Sequence, residues 1–188
     1  GEFQETYLSD KSCFLWLHIN AVKDDLDRVI NYIGIVSDQT ERKHQEQHLS
    51  YLTNYDPLTD LPNRFYYHQQ LHQYLMNETS IQQLAVIRLN IDRFRALNEL
   101  LSHQAGNELL KQVAHRLRIS NADALLVAHL SADDFAIIYE MSPLHPPIHQ
   151  LCNNIVESFR KPFDIADQEY FVSISLGVAI YPEHGRQV

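Results

Sequence analysis

The stretch that decides the fold reads Leu125-Leu126-Val127-Ala128-His129-Leu130, then Ser131-Ala132-Asp133-Asp134, then Phe135-Ala136-Ile137-Ile138-Tyr139. Its first and third segments consist mainly of apolar, β-branched and aromatic residues, which favours two β-strands. The polar segment between them carries two adjacent carboxylates, and Asp is favoured in turns because it hydrogen-bonds to nearby backbone. We therefore predict a β-hairpin whose tip could place acidic groups at a metal-phosphate site.

Regular elements are also predicted on both sides of this hairpin. Helices are indicated where apolar residues recur every three or four positions, and strands where short apolar runs end in turn-forming residues. These rules predict, in chain order, a helix near 65–75, a strand at 84–91, a helical stretch that is clearest at 109–117, the hairpin, a helix near 148–159, and strands at 163–166 and 169–181 around an Asp167-Gln168 turn. The order β-α-α-β-β-α-β predicts an α+β domain of ferredoxin-like plan, with helices packed on one face of an antiparallel-centred sheet.

The beginning of the chain has a different pattern. Two strands are predicted at 14–22 and 29–37, and the polar turn Asp24-Asp25-Leu26-Asp27 between them indicates a hairpin. A polar helix then begins within 38–43 and runs to about Leu52. The apolar side of this helix is thin and consists mainly of Leu49, Leu52 and Tyr55. Such a helix is typical of a connector or a dimer stalk.

Composition and charge limit what the chain can be. It has 188 residues and a formal net charge of −9, which argues against a nucleic-acid-binding protein. Two cysteines give no disulfide framework, so we expect a reducing, cytoplasmic location. No apolar run approaches the ~18 residues of a membrane span, and no membrane contact is expected from this segment. Because the chain starts without Met and in mid-pattern, we expect a piece of a longer protein, which missing N-terminal segments could anchor to a membrane.

Several motifs, in order along the chain, resemble those of GGDEF (diguanylate cyclase) domains. The hairpin tip Ser131-Ala132-Asp133-Asp134-Phe135 is similar to an altered copy of the signature Gly-Gly-Asp/Glu-Glu-Phe. The other matching motifs are Asp56-Pro57-Leu58-Thr59-Asp60-Leu61-Pro62-Asn63-Arg64, Asn90-Ile91-Asp92-Arg93-Phe94-Arg95, Asn98-Glu99, His103, Gly106-Asn107, Leu109-Leu110 and Ser175-Leu176-Gly177-Val178-Ala179. The resemblance covers about 56–188 and implies a GGDEF/nucleotide-cyclase-type sheet.

A shorter resemblance covers the start of the chain. Residues 14–43 resemble the last two strands of a PAS sensor domain, with Asp38-Gln39-Thr40-Glu41-Arg42 as its exit motif. The two resemblances divide the chain into the C-terminal part of a PAS domain at 1–40, a signalling linker helix at 41–55 and a GGDEF domain at 56–188. We expect the GGDEF domain to be truncated, because the chain stops at Val188, before a helix that supplies basic phosphate contacts in the family.

The resemblance implies chemistry on guanine nucleotides. Intact members of the family condense two GTP molecules into cyclic di-GMP across a dimer, and a divalent metal bridges carboxylates and phosphates. Mg²⁺ suits such a site because it binds a few carboxylates together with phosphate oxygens. The metal neutralises charge on the phosphates and helps to activate the attacking hydroxyl. Glycines in the signature turn let the backbone approach the triphosphate.

The metal and phosphate positions are altered in this chain. The family's metal-binding Asp on the first strand falls on Asn90, which is neutral and a poorer ligand for a hard cation. The paired glycines fall on Ser131 and Ala132, whose Cβ atoms stand where phosphate should lie close. The third position keeps its acid as Asp133, and the fourth acid is shortened to Asp134. Metal binding through Asp133, Asn90 and Asp134 is therefore expected to be weakened, and the two acids could instead be simple turn residues.

Guanine recognition and product inhibition are altered as well. Of the Asn and Asp that contact guanine in the family, the Asn is retained as Asn98, but the Asp falls on Asn107. Asn98 is either a leftover contact with the base or a polar residue on the helix surface. A carboxylate accepts from both guanine N1–H and N2–H, whereas an amide offers one acceptor oxygen and an NH₂ donor. The Arg before the signature is replaced by His129, which we expect to be a structural residue. The inhibitory Arg-x-x-Asp motif falls on Ala122 and Leu125 and is absent.

These departures predict a catalytically impaired GGDEF domain. The expected function is regulatory: a cyclic-di-GMP signalling module that binds GTP or acts as a docking and relay domain, upstream of an EAL phosphodiesterase domain in the same polypeptide. A homodimer through the linker helix is the expected assembly. One alternative is an active diguanylate cyclase with an unusual site, which Asp133, Asp134 and Asn98 favour. The other is a dimerisation and relay module that binds no nucleotide.

Overall fold

The computed structural model describes residues 14–76 and 83–185. The chain divides into two compact units, Gly1–Tyr51 and Leu52–Val188. The first 13 residues of the predicted 1–40 segment, and the chain end at Val188, lie outside the described residues. Among the residues that the structure describes, no helix is both long enough and apolar enough to cross a membrane.

The first unit contains an antiparallel hairpin followed by most of a helix. The elements are β1 (Leu15–Lys23), β2 (Val29–Asp38) and α1 (Thr40–Asn54). Asp24 shapes the hairpin turn, because its carboxylate accepts from the backbone N–H groups of Leu26 and Arg28, each at 2.9 Å. Asp38 accepts from the backbone N–H of Thr40 at 2.9 Å at the start of α1. Both predicted strands are observed, with ends within one residue of the prediction.

The second unit is an α+β domain built on a four-stranded sheet. Its elements are α2 (Arg64–Met76), β3 (Leu84–Ile91), α3 (Phe94–Leu101), α4 (His103–Ser120), β4 (Leu126–Ser131), β5 (Asp134–Glu140), α5 (Ile148–Phe159), β6 (Phe163–Ile165), β7 (Gln168–Tyr170) and β8 (Ile174–Tyr181). The strand order is β4-β5-β3-β8, and every neighbouring pair is antiparallel. Central strand β3 therefore ends between the signature hairpin and β8, which makes this end of the sheet the place where the predicted site residues meet.

Helices cover both faces of the sheet, so the predicted packing on one face is wrong. Successive residues of a strand point to opposite faces. On β5, Phe135 and Ile137 belong to the main core with α4 and α5, whereas Ile138 packs with α2 on the other face. The sequence pattern did not reveal this because the apolar residues of α2 are spread around the helix, and only Tyr67 and Leu71 are buried.

The single strand predicted at 169–181 is two strands in the structure. β7 pairs with β6 in a small separate hairpin, whereas β8 pairs with β3 at the edge of the main sheet. The change of partner falls at 171–173, where the backbone oxygen of Ser173 accepts from the N–H of Asp92 at 2.9 Å. Tyr170, Val172 and Ile174 all pack toward the same core. The apolar alternation therefore runs unbroken through the change of partner, and the sequence does not mark it.

Candidate functional site

The signature hairpin has a tighter turn than the sequence indicated. β4 ends at Ser131 and β5 begins at Asp134, so Ala132 and Asp133 alone form the turn. Ala132 has a φ of 45°, in the left-handed region that favours glycine. The backbone oxygen of Asp133 accepts from the N–H of Ile91 at 3.1 Å. This hydrogen bond joins the turn to the end of β3.

The three residues predicted as metal ligands lie together at this end of the sheet. Asn90 is directly opposite Asp134 in the register of β3 with β5. On its other side, Asn90 is opposite Ser175 of β8. Asn90 is exposed, whereas Asp133 and Asp134 are half-buried. Across three neighbouring strands the site thus presents a serine, an amide and a single carboxylate.

The carboxylate of Asp134 is already engaged by the protein. Arg88, two residues before Asn90, donates from Nε to Asp134 Oδ1 at 3.2 Å and from a terminal nitrogen to Oδ2. The partners of Arg88 across the neighbouring strands are Ala136 and Gly177, which leave the guanidinium room to lie along the sheet. Sequence reasoning missed this ion pair. The signal that could have found it is an arginine inside an apolar strand, on the same face as Asn90.

Two other ionisable side chains near the site, Tyr67 and Asp92, have shifted pKa values. Burial raises the pKa of Tyr67 on α2, and nearby Arg88 opposes that change while Asp134 adds to it. The carboxylate of Asp92 accepts from the hydroxyl of Ser175 at 2.7 Å, and hydrogen bonds from Ser173 and Ser175 hold its pKa below the ordinary value. Asp92 is therefore bonded to serines on the β8 side of the site.

The two amides predicted to contact guanine lie where α3 meets α4. The side chain of Asn98 on α3 passes over Gly106 on α4, where an added Cβ would be 1.6 Å from Asn98 Oδ1. Glycine at 106 therefore leaves the space that this amide occupies. Within the described part of the chain, Asn98 Oδ1 is buried without a hydrogen-bond partner, which costs about 1–3 kcal/mol in a folded protein. Asn107 follows directly on α4 and is exposed.

His129 connects the signature turn to the entry motif. It is buried, with Nδ1 3.0 Å from Asp56 Oδ1 and Nε2 2.9 Å from the backbone oxygen of Ala132. Its ring stacks on Phe135 with centroids 4.6 Å apart. Each ring nitrogen of His129 therefore faces an oxygen atom, one in the entry motif and one in the signature turn. The prediction of a packed structural histidine is confirmed. The contact of His129 with Asp56 was not predicted from the sequence.

Asp56 is the centre of the entry loop. Besides its contact with His129, its carboxylate accepts from the backbone N–H of Thr59 at 2.8 Å and from the Thr59 hydroxyl at 2.7 Å. Burial raises the pKa of Asp56, but the hydrogen bonds from His129 and Thr59 outweigh burial, so the pKa lies below its ordinary value. The entry loop and the signature turn are therefore held together through one ionised carboxylate.

The residues at the hairpin tip fit a divalent metal poorly. Across residues 14–76 and 83–185, no three His, Cys, Asp or Glu side chains are grouped so that they could hold a metal ion. Asp134 is bonded to Arg88 and Asn90 is neutral, whereas Mg²⁺ binds through carboxylates that have open lone pairs. The amide oxygen of Asn98 is also unpartnered, but it is buried against Gly106 and is not open to a ligand in this geometry.

The second unit is an α+β domain with an antiparallel sheet, and its acidic hairpin tip lies beside the end of central strand β3. This arrangement defines a domain of the nucleotide-cyclase type. The family model for the diguanylate cyclase GGDEF domain matches residues 53–188, and this chain belongs to that family. Its relatives are proteins of cyclic-di-GMP signalling, and some of them are phosphodiesterases.

Three relatives illustrate the similarity. The signaling protein YkoW of Bacillus subtilis is 31% identical over 172 residues, which are 90% of this chain and 22% of YkoW. The cyclic di-GMP phosphodiesterase NbdA of Pseudomonas aeruginosa is 30% identical over 77% of this chain and 18% of NbdA. A solved GGDEF domain of the diguanylate cyclase TpbB from the same organism is 34% identical, with a TM-score of 0.63 over 70% of this chain and 78% of that domain. The chain spans between 18% and 36% of the full lengths of these three proteins.

Proposed function

We propose that this chain is a regulatory module of a cyclic-di-GMP signalling protein and that its GGDEF domain makes no cyclic di-GMP. The observation that carries the proposal is the pairing of Asn90 with Asp134 across β3 and β5. The strand position expected to bring a carboxylate brings a neutral amide, and of the two signature acids, Asp133 and Asp134, the second is bonded to Arg88. Phosphoryl transfer depends on positioning and on neutralising charge, so weaker metal binding reduces both.

The turn supplies a steric argument for the same proposal. Ala132 carries a methyl group in a left-handed conformation, and the hydroxyl of Ser131 is 3.3 Å from a terminal nitrogen of Arg64. Glycine allows a backbone to approach a ligand closely, whereas each added Cβ keeps it away. A triphosphate at this tip would meet two side chains where the family has bare backbone. The turn therefore supports impaired catalysis independently of the metal ligands.

GTP is the ligand that we propose for the regulatory domain. The asparagine retained at position 98 supports a contact with the base, which requires its amide to turn away from Gly106. Asn107 in place of a carboxylate weakens guanine binding, because a hydrogen bond to a charged group contributes about 1.5–3 kcal/mol. Any binding is expected to be weak, to need little or no Mg²⁺, and to favour GTP over ATP.

Isothermal titration calorimetry with GTP and ATP tests this ligand. We expect GTP to give a weak isotherm that disappears in Asn98→Ala, and ATP to give none. Asn153→Ala is the matched control, since Asn153 is an exposed amide on α5. A chain that binds no GTP would favour the alternative of a dimerisation and relay module. Synthesis of cyclic di-GMP from GTP and Mg²⁺ would favour the other alternative, an active cyclase.

The proposal extends to the rest of the protein. We assign 1–40 to the end of a PAS sensor domain and 41–55 to a signalling helix, which makes the module a relay from a sensor to an output domain. Helix α1 has no buried residue and exposes Leu49 and Leu52, which supports a homodimer through this helix. The similarity to NbdA supports a phosphodiesterase domain in the same polypeptide, and we propose that it is an EAL domain. We propose a cytoplasmic location for the module.

A further inference from the structure

The geometry points to Arg88 as the resident cation of this site. In this inference Arg88 supplies positive charge where an intact GGDEF domain uses a divalent metal, keeps Asp134 from binding that metal, and offers its free N–H groups to the phosphates of a nucleotide. The inference rests on the proposed function for the identity of the site. It goes further because it assigns a role to a residue outside the signature and specifies metal-independent binding of a phosphate-bearing ligand.

The first argument is the geometry of the pair. Nε and a terminal nitrogen of Arg88 meet the two oxygens of Asp134, one nitrogen to each oxygen. A planar guanidinium matches a carboxylate in this two-point arrangement, which is among the strong hydrogen-bonded pairs in proteins. A divalent ion on Asp134 would have to displace these bonds or stand beside a fixed positive charge. Either alternative weakens metal binding at this carboxylate.

The second argument is the difference in exposure between the two partners. The side chain of Asp134 is 19% exposed, whereas that of Arg88 is 49% exposed. The acid is thus shielded from solvent, and the guanidinium is open to it. Arginine has five N–H donors, and Asp134 takes two of them. About three donors remain for an incoming anion, and arginine is well suited to bind phosphate oxygens through two parallel hydrogen bonds.

The third argument is the fit of the neighbourhood around Arg88. Ala136 and Gly177 flank Arg88 on the adjacent strands, and a Cβ built on Gly177 would have no atom within 4 Å. The guanidinium therefore has open space on the β8 side. From α2, Tyr67 is buried close enough to feel the charges of both Arg88 and Asp134. The small residues on the adjacent strands thus leave the guanidinium accessible.

Paramagnetic Mn²⁺ provides a test that does not depend on enzymatic activity. We would titrate Mn²⁺ into the ¹⁵N-labelled chain and follow the amide signals of Asn90 and Asp134. In the wild type we expect no selective broadening of these signals. In Arg88→Met, and in Arg88→Gln as a second uncharged variant, we expect broadening at a Mn²⁺ concentration at least tenfold lower. Arg88→Lys, which keeps the charge, should resemble the wild type.

Two further variants locate the effect. Asp134→Asn added to Arg88→Met should abolish the gain, because the freed carboxylate is then gone. Arg160→Met is the matched control, since Arg160 forms an exposed ion pair with Glu157 on α5 and should not change Mn²⁺ binding. Circular dichroism checks that each variant is folded.

Two results would overturn the inference. One is selective broadening of the Asn90 and Asp134 signals in the wild type. The other is a folded Arg88→Met or Arg88→Gln variant that gains no Mn²⁺ binding. Failure of this inference can be told apart from failure of the proposed function. If wild-type Asp134 binds Mn²⁺ but the protein makes no cyclic di-GMP, only this inference is wrong. If the protein makes cyclic di-GMP, the proposed function is wrong.

Discussion

At the residue scale, two side chains contact a carboxylate close to the signature turn. His129 contacts Asp56 in the interior, and Arg88 forms an ion pair with Asp134 nearer the surface. Removing one partner of a buried hydrogen bond is costly because the other partner is left buried and unsatisfied. Exposed pairs, such as Arg95 with Glu99, contribute about 0.2–1 kcal/mol at most. The stability of the turn should therefore depend on Asp56 more than on any single surface ion pair.

Replacing Asp56 by asparagine should lower the free energy of unfolding by about 1–3 kcal/mol at neutral pH. His129 and both donors of Thr59 meet one oxygen of Asp56, and an uncharged amide oxygen accepts hydrogen bonds more weakly than a carboxylate oxygen does. Urea unfolding of the variant and the wild type measures the change. Asp123→Asn is the control, because Asp123 is exposed and its replacement should change stability by less than about 0.5 kcal/mol. An Asp56→Asn protein as stable as this control would contradict the assigned network.

The contribution of Asp56 should also depend on pH. Its pKa is lowered in the folded chain, so the unfolded chain takes up a proton first as the pH falls. The stabilisation by Asp56 is therefore fully present above the ordinary pKa of about 3.9, and it is lost as the pH falls through the lower pKa of the folded chain. At about pH 3, the same urea experiment should give a smaller difference in the free energy of unfolding between the wild type and Asp56→Asn than at neutral pH. An unchanged difference would mean that the carboxylate charge is not the source of the stability.

The effect of Gly106→Ala on the free energy of unfolding should change sign when Asn98 is also replaced by alanine. Alanine is normally better than glycine inside a helix by about 0.8–1 kcal/mol. In the wild type, Gly106→Ala would meet Asn98 Oδ1 and should lower the free energy of unfolding. In an Asn98→Ala background the space is free, and the same change should raise it by up to about 1 kcal/mol. Urea unfolding of the four proteins gives the answer, and equal effects in both backgrounds would show that the amide does not occupy this space.

At the element scale, the alternation of apolar residues was enough to locate the signature hairpin, β3 and α5. It was not enough to assign partners to strands. The turn closed to two residues because β4 and β5 each extend one residue further than their apolar runs. The pair of Arg88 with Asp134 was out of reach for a related reason: the two residues are 46 positions apart and meet only through the register of β3 with β5. Sequence motifs thus indicated which residues form the site, but not which of them are already bonded.

Restoring the signature turn alone should not restore synthesis. The variant Ser131→Gly, Ala132→Gly and Asp134→Glu recovers room for phosphate and the length of the fourth acid. It leaves Asn90 without charge for a metal and Asn107 mismatched to guanine, so positioning of the phosphates remains poor. We expect no product from this variant in a chromatographic assay of cyclic di-GMP, and we expect that Asn90→Asp and Asn107→Asp are also required. Robust synthesis by the three-residue variant would show that neither asparagine disables the site.

At the scale of the whole molecule, the candidate site is assembled from segments far apart in the sequence. The entry loop, the end of β3, the α3–α4 junction, the signature hairpin and β8 all contribute to it within the second unit. The family motifs, in their order along the chain, identified these segments, because a shared fold brings the same segments together. Packing of α2 on the second face was not encoded in any motif. It nevertheless places Tyr67 close enough to be influenced by the charges of Arg88 and Asp134.

The most direct test of the central claim is synthesis of cyclic di-GMP by the complete protein. The product of the full open reading frame would be incubated with GTP and Mg²⁺, and the nucleotides would be separated and identified by mass spectrometry. Purified TpbB, a diguanylate cyclase, serves as the positive control in the same assay. We predict that this protein gives no cyclic di-GMP above a protein-free blank, because Asn90, the Ser131-Ala132 pair and Asn107 stand where we expect a metal-binding Asp, the signature glycines and the guanine-binding Asp. Product that increases with the amount of protein would contradict the account.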